Sequence, residues 1–502
     1  MGPGPNRMNR LVVRQTTAGV IRWLGLGSQP KIVVGFDARH RSEEFALDVV
    51  DVAGALGAAV ELVDKPMPTP VLAHWVLGSG ADAGIMITAS HNPAADNGYK
   101  LYLADGIQLV SPSDAEIAAE IDQVVADGGV PAPGAGLDRV KHIAGQAANA
   151  HLEAAQRALC TPHRDVQVLY TAMHGVGGKH LMTAFAQAGF PTPTVVDAQF
   201  DPDPEFRTVP FPNPEEAGAL DMALAQAQHE GVDVVLANDP DADRLAVAIP
   251  NPTGEWVSLS GDQVGILLAD HLLSHTEGTN RLVASSIVSS TMIDAVAHDA
   301  GAKSVRSLTG FKWVARPIVD HPDQQYVLGY EEALGYCVGS LVRDKDGISA
   351  ALVVAEMVAE SKAKNETLWD RLDRLYERHG VYLTKPVTLV FTGPDPGGER
   401  ERIMSRLISA PPQQLDGVDV DTHEDLALGL HYPPTTGVLW GLVDGSRVVV
   451  RPSGTEPKLK AYLEVVVPLD AEVTSAVAEA KQQARQRLAD LAEAVSAVVG
   501  QP

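Results

Sequence analysis

Apolar residues fall along this chain in short blocks that follow a repeating order. Lys31 to Phe36 is a Val-rich run ending in Asp37-Ala38-Arg39, which predicts a strand, and Ser42 opens an amphipathic helical pattern to about Gly57. Further strands are predicted over Ala59 to Val63 and Gly84 to Ile87. Strand, helix and strand in that rhythm predict an α/β unit. A Gly- and Pro-rich patch, Asp127 to Gly134, sits inside the helical stretch that ends this unit, and the boundary is expected a little beyond it.

The order then recurs. A strand is predicted over Val166 to Tyr170, a turn through His174 to Gly178, a helix to about Gly189 and a strand over Val232 to Leu236. A third unit has strands over Leu282 to Ser286 and Tyr326 to Gly329, with a turn at Leu308 to Lys312. From Pro386 the pattern changes to α+β. It shows a strand to Phe391, a helix near Glu399 to Leu407, and a hairpin turned by Asp444-Gly445 between Val438–Val443 and Arg447–Val450. A closing helix from about Ala471 to Val499 takes its apolar stripe from Val473, Val477, Ala484, Leu488, Leu491, Val495 and Val498. The expected domains are 1–160, 161–277, 278–383 and 384–502, and the first three suggest a threefold structural repeat.

The 502 residues exceed what one hydrophobic core organises. A net charge of −25 argues against a nucleic-acid or anionic-membrane surface, so bound phosphate must meet local positive charge. Two distant cysteines, Cys160 and Cys337, write neither a disulfide framework nor a zinc knuckle, and with no apolar run of membrane length the expected compartment is the cytoplasm.

Each of the three α/β units ends a strand in a loop loaded with chemistry, where open sheets of this kind bind ligands. Thr88-Ala89-Ser90-His91-Asn92-Pro93 puts a hydroxyl and an imidazole on one tip; taken alone, that pair also fits a helix cap and a surface histidine. Asp239, Asp241 and Asp243 can wrap oxygen ligands around one small cation, with Mg2+ the natural choice. A calcium EF-hand is excluded, because Arg244 and Pro250 stand where its Gly and Glu would be. A phosphorylated Ser90 would supply a further oxygen, and the cation would make it a better phosphoryl donor. Glu331 and Glu332 are acceptor-only groups that suit sugar hydroxyls. Arg451, Ser453, Thr455 and Lys458, around Gly454, suit a dianionic phosphate, although a basic turn beside a hairpin reads the same way. Lys100 and Lys312 fit phosphate contact, proton transfer or an ordinary surface position.

Taken jointly, Thr-Ala-Ser-His-Asn-Pro at 88–93, Asp-Pro-Asp-Ala-Asp-Arg at 239–244, Glu-Glu-Ala-Leu-Gly at 331–335 and Arg-Pro-Ser-Gly-Thr-Glu-Pro-Lys at 451–458 resemble the α-D-phosphohexomutase superfamily over essentially the whole chain. The resemblance implies three similar mixed α/β domains plus a C-terminal α+β domain like the TATA-binding protein, heart-shaped around a central cleft. It implies phosphoserine at Ser90, one Mg2+ on Ser90, Asp239, Asp241 and Asp243, and sugar reading by Glu331 and Glu332. Arg451, Ser453, Gly454, Thr455 and Lys458 would clamp the non-reacting phosphate, and Arg244 and Lys312 would also touch substrate. Lys100, ahead of His91, is the candidate for proton transfer, which requires a depressed pKa.

The implied reaction moves phosphate between C1 and C6 of a glucose or mannose phosphate through a sugar bisphosphate, which also serves as activator. Sugar phosphates are the expected partners of a monomer or dimer. Thr309 to Trp313 and Asp344 to Gly347 resemble the branch with the larger phosphopentomutases and glucose-1,6-bisphosphate synthases. Ala333 stands where many glucose and mannose enzymes carry Ser, which leaves a phosphopentomutase, a bisphosphate synthase or an inactive sugar-phosphate-binding paralogue as alternatives. A magnesium phosphatase would lack the phosphoserine, and the Gly-x-Ser-x-Gly elbow of a serine hydrolase is absent. Relatives usually carry a Phe-Gly-Thr-Ala-Gly-Leu-Arg-Gly strand and turn ahead of a segment like Gly4 to Asn9. The expectation is that the first domain lacks that strand here and that the upstream genomic sequence encodes it.

Overall fold

β1 (Lys31–Phe36) is the middle strand of a five-stranded sheet and is buried from Ile32 onward. The computed structural model describes the chain except residues 1, 3, 5, 6, 26, 27, 138, 139, 393, 394, 454–457, 470–475, 501 and 502. It packs as two units, residues 1–282 with 311–368, and residues 283–310 with 369–502.

In the first unit, β1 pairs in parallel with β2 (Ala59–Leu62) and β3 (Ala83–Ile87), β2 pairs in parallel with β5 (Val140–His142), and β4 (Tyr99–Leu103) runs antiparallel to β3. Alternation along the strands sends side chains to two faces. Ile32, Val34, Phe36, Ile85 and Ile87 join one core with Val13, Ile21 and Val49 from the helices Arg10–Gly25 and Ser42–Ala55. Val33 and Met86 join a second core with Val71, Leu72 and Val76 from the helix Thr69–Ser79. Two buried faces explain why these strands read as continuous apolar runs. The Gly- and Pro-rich patch lies between helices rather than inside one: the helix Ser113–Asp127 ends where Gly128 takes φ 64°, and the next is Ala144–Gln156.

A second sheet repeats the plan. β6 (Val168–Thr171) pairs in parallel with β7 (Thr194–Val195) and β8 (Val234–Ala237); β9 (Ala246–Pro250) runs antiparallel to β8, and β10 (Trp256–Ser258) antiparallel to β9. β13 (Gln325–Glu331) and β14 (Gly335–Val338) form a third antiparallel pair, while β11 (Arg281–Ser286) and β12 (Lys303–Ser307) precede them in the chain. The repeat expected from the sequence is therefore visible as a strand, a loaded loop and an antiparallel return strand: Ser90 lies between β3 and β4, the Asp loop between β8 and β9, and Glu332 between β13 and β14. Each loop holds one non-glycine residue in the left-handed region, Ser90 at φ 50°, Ala242 at 55° and Leu334 at 61°. Such residues are uncommon, and they cluster where surrounding structure over-determines the backbone. The helix Gly347–Ala363 is buried along its length from Gly347 to Ser361, as expected of a helix apolar on nearly all sides.

The second unit contains a six-stranded antiparallel sheet in the order β15 (Val381–Val390), β20 (Lys458–Val467), β19 (Arg447–Pro452), β18 (Val438–Leu442), β17 (Val418–Asp425) and β16 (Gln414–Leu415). β15 starts six residues before the strand expected from Val387, because its pairing with β20 runs through ten residues. Pro386 is tolerated because β15 is an edge strand, where a missing N–H need not break a ladder. The closing helix is Ala476–Gly500. Ala484, Leu488, Leu491 and Val495 are buried as expected; Val499 rather than Val498 completes the buried stripe, Val477 is half-buried, and Val473 is outside the described residues.

Candidate active site

The Ser90 loop is built from its backbone outward. Ser90 N–H donates to Thr88 Oγ1 at 2.9 Å, closing a tight turn right after β3. Arg39, 4% exposed, donates to the carbonyls of Ser90 at 2.6 Å, Asn92 at 2.5 Å and Pro93 at 2.7 Å. Those carbonyls point inward and need a donor, and one guanidinium fork satisfies all three.

The Asp loop is held as firmly. Tyr170 donates to Asn238 Oδ1 at 2.8 Å, and Asn238 Nδ2 donates to the Arg244 carbonyl at 2.6 Å, bracing the two ends of the loop. A Cβ on Gly175 would stand 2.3 Å from Pro240 Cα, so only glycine lets the two turns approach. Thr69 donates to Asp241 Oδ2 at 2.5 Å, and its N–H donates to the Asp241 carbonyl at 2.9 Å.

The fold brings these loops together. Ser90 Oγ donates to Asp239 Oδ2 at 2.8 Å and lies 3.2 Å from His91 Nδ1. Lys100, from β4, donates to Asp241 at 2.7 Å and Asp243 at 2.8 Å, and Lys345 Nζ stands 3.2 Å from Asp243. Asp239, Asp241 and Asp243 are at most 1% exposed and each offers an oxygen within 4.8 Å of the others. Asp241 Oδ1 and Asp243 Oδ1 are buried with no hydrogen-bond partner among the described residues. Hard, buried carboxylate oxygens this close together, two of the residues with an unsatisfied oxygen, fit a small divalent cation.

The electrostatics of the site follows from burial and from these charges. Burial would lower the Lys100 ammonium, but Asp241 and Asp243 outweigh it and hold the pKa above the ordinary lysine range. His91 is pushed down to about 2, first by burial and then by Arg244, so its ring is neutral at working pH and a weak base. Asp239 is held well above the carboxylate range by burial and by Asp241 and Asp243. Burial would raise Asp241, but Lys100 keeps it low.

The Glu331–Leu334 turn sits against the same loop, since Leu245 N–H donates to the Leu334 carbonyl at 3.0 Å. Glu331 and Glu332 are half-buried. Glu332, expected as an acceptor only, is pushed up to about 8 by burial and then by Glu331 and Asp262. At neutral pH it keeps a proton and can also donate one hydrogen bond. Arg244 pairs with Glu215 at 3.1 Å. Lys312 is half-buried and follows Phe311, over whose ring Lys345 Nζ lies at 5.4 Å. In the second unit Arg451 donates to Thr309 Oγ1, and Ser453 N–H donates to the Lys458 carbonyl at 2.9 Å; Gly454 and Thr455 lie outside the described residues.

Family models described as phosphoglucomutase/phosphomannomutase alpha/beta/alpha domains I, II and III match residues 2–126, 147–254 and 260–379, and that family's C-terminal domain matches 441–490. The chain belongs to the phosphoglucomutase/phosphomannomutase family. It is 39% identical over 463 residues to a "probable phosphomannomutase" of Haemophilus influenzae, covering 91% of this chain and 93% of that one. A human phosphopentomutase is 34% identical, with 93% and 83% covered, and a Staphylococcus aureus phosphoglucomutase 32%, with 93% and 88%. The solved pp63/parafusin, a phosphoglucomutase from Paramecium, shares the fold at TM-score 0.73 and 19% identity, with 99% of this chain and 93% of that one covered. As a member of this α-D-phosphohexomutase group, the chain is a phosphosugar mutase, an isomerase working by phosphotransfer. Among the described residues, no helix is long and apolar enough to cross a membrane.

Sequence reasoning passed over Arg39, Thr69, Asn238 and Lys345. Arg39 and Asn238 border recognised stretches, in Asp37-Ala38-Arg39 and just ahead of Asp239, and that adjacency was the available signal. Thr69 meets the Asp loop only through tertiary contact. Lys345 lies in the quoted Asp344 to Gly347 stretch, where its charge facing Asp243 was not evident.

Proposed function

We propose that this family member moves phosphate between C1 and C6 of a hexose phosphate, of glucose or mannose, with Ser90 as the phosphate carrier. The observation that carries the reading is the position of Ser90 Oγ, 2.8 Å from the buried aspartate triad. Lys100, Arg244 and Lys345 make themselves felt electrostatically at its neighbour His91. A dianionic phosphoryl group on Ser90 would meet local positive charge in a chain whose net charge is −25. Asp239, Asp241 and Asp243 would hold Mg2+, with an oxygen of phosphorylated Ser90; the bound ion supplies charge withdrawal from the phosphoryl group.

In the first half-reaction a sugar hydroxyl oxygen bonds to phosphorus as the Ser90 Oγ–P bond breaks. The hydroxyl proton ends on Ser90 Oγ, and a sugar bisphosphate results. In the second, the other phosphate returns to Ser90 and leaves the isomerised monophosphate. A trace of bisphosphate charges Ser90 from its free hydroxyl. The chain's part is largely positioning and fixed charge, which phosphoryl transfer mainly requires. Arg39 fixes the Ser90 loop, Lys100 and Lys345 balance the triad, and Glu331 and Glu332 read hydroxyls. Arg244 and Lys312 contact substrate, and Arg451, Ser453, Gly454, Thr455 and Lys458 hold the distal phosphate. Four successive sheets support a division near 1–160, 161–277, 278–383 and 384–502, with β15 of the last sheet beginning at Val381.

A second reading, phosphopentomutase, draws on Ala333 in the sugar loop and on the similarity to the human enzyme of that name. Turnover of glucose, mannose, ribose and deoxyribose 1-phosphates, each with Mg2+ and a trace of sugar bisphosphate, separates the two. Faster turnover of the hexose phosphates is expected; a preference for the pentose phosphates would replace the first reading with the second.

A further inference from the structure

The buried helix Gly347–Ala363 carries two carboxylates, Glu356 at 0% and Glu360 at 5% exposed. Charges so deep need dedicated partners. The helix Gly261–Ser274 supplies His271, 0% exposed, and its C-cap His275 one turn later. His275 Nδ1 lies 2.8 Å from the His271 carbonyl oxygen. A carbonyl only accepts, so Nδ1 carries the hydrogen and a neutral ring has its lone pair on Nε2. That Nε2 faces Glu360 Oε1 at 3.3 Å.

His271 is oriented in the same sense. Its Nε2 lies 3.1 Å from Glu356 Oε2, and its Nδ1 3.3 Å from Glu360 Oε2. Glu356 also accepts from the N–H groups of Cys160, at 3.0 Å, and Thr161, at 2.6 Å, with Arg164 at 3.3 Å. It is a fixed carboxylate suited to take the His271 Nε2–H, the arrangement that orients metal-binding histidines. Two imidazole lone pairs and a carboxylate thus converge. His271 Nδ1 stands 3.3 Å from Glu360 Oε2 and His275 Nε2 3.3 Å from Oε1, and one donor atom from each of the three residues lies within 4.8 Å of the others, close enough for one ion to bridge.

We propose that His271, His275 and Glu360 form a second metal site for a borderline divalent cation such as Zn2+, with Glu356 as the orienting carboxylate. Nitrogen ligands distinguish it from the all-oxygen aspartate triad, which suits Mg2+. The His275 side chain is 27% exposed, giving ion and water a way in. Lys364, 2.9 Å from Glu360 Oε1, has a side chain 57% exposed on a flexible stem that can swing aside. The site ties two helices that buttress the catalytic loops from their other ends. A Cβ on Gly261 would stand 1.9 Å from the Glu332 carbonyl oxygen, and one on Gly347 2.2 Å from that of Arg244.

The test uses the full chain stripped by chelator and titrated with Co2+ or Zn2+ in saturating Mg2+, which masks the aspartate triad. Expected are one additional Co2+ per chain with the visible spectrum of tetrahedral cobalt, a raised Tm with Zn2+, and loss of both effects in His275→Ala and in Glu360→Gln. Mg2+-supported turnover of His275→Ala without added Zn2+ should match wild type, and its circular dichroism reports folding independently. Equal Co2+ binding in wild type and both variants would overturn the proposal. So would a wild type with no tetrahedral spectrum, which would leave only an imidazolium–carboxylate pair.

Discussion

The part of the molecule proposed to carry the chemistry and the parts proposed to read the substrate are built differently. Around Ser90 and the aspartate triad the carboxylates are at most 1% exposed, Lys100 bridges two of them, and a buried arginine holds three backbone carbonyls. Glu331 and Glu332, and in the second unit Arg451, Ser453 and Lys458, are half-buried. Charge developing in a transition state is best stabilised by groups already in place. A clamp that must accept either end of a sugar needs side chains able to adjust, and partial exposure permits that. On the proposed mechanism, rigidity is concentrated where the P–O bond would change.

The comparison is broken most decisively at Ser90. Ser90→Ala removes the proposed covalent acceptor and should abolish turnover while leaving the melting temperature nearly unchanged; measurable mutase activity would mean that the phosphate travels another way.

Asp241→Asn removes a ligand charge and little volume. Turnover should fall by roughly 10²–10³-fold, the scale of losing one preorganised electrostatic contact, with Mg2+ binding weakened in calorimetry. Unchanged rate and metal affinity would show that the triad is not the metal site.

On the reading side the effects should be smaller and fall on KM. Arg451→Ala should raise KM by about 10–100-fold, because it removes a charge-assisted contact to phosphate. Glu332→Gln should cost only a few-fold, since the amide keeps an acceptor and a donor for neutral hydroxyls. Steady-state kinetics rank the two, and the reverse order would exchange the roles of the loops.

The smallest effect is a slope with pH. Glu332 has its pKa raised from 4.5 to about 8, so between those values the folded state binds a proton that the unfolded state has released. Stability should therefore fall as pH rises from about 4.5 to 8. Thermal melts across that window should show less of the decline in Glu332→Gln; an identical slope in both proteins would mean that Glu332 titrates normally.

Contiguous features were the legible ones. β1 was read to its exact ends, and the Ser90 and Asp239–Asp243 loops follow their strands as expected, while β13 runs two residues past the expected Gly329 to end on Glu331; each motif is local and each strand is buried on both faces. What escaped depends on residues far apart in sequence. Lys100 reads as a lone lysine until Asp241 and Asp243, some 140 positions on, are seen to pair with it. The left-handed backbone at Ser90, Ala242 and Leu334 is invisible in residue types that rarely adopt it. His271 and His275 sit one turn apart in plain view, yet only the fold sets Glu356 and Glu360 against them.

The central claim, that Ser90 carries the transferred phosphate, is tested most directly by mass spectrometry of its peptide through a single cycle. After incubation with isotopically labelled sugar bisphosphate and Mg2+, the label should appear on Ser90, and a chase with unlabelled sugar monophosphate should return it to the sugar pool. A Ser90 peptide that stays unmodified while labelled product accumulates would contradict the account.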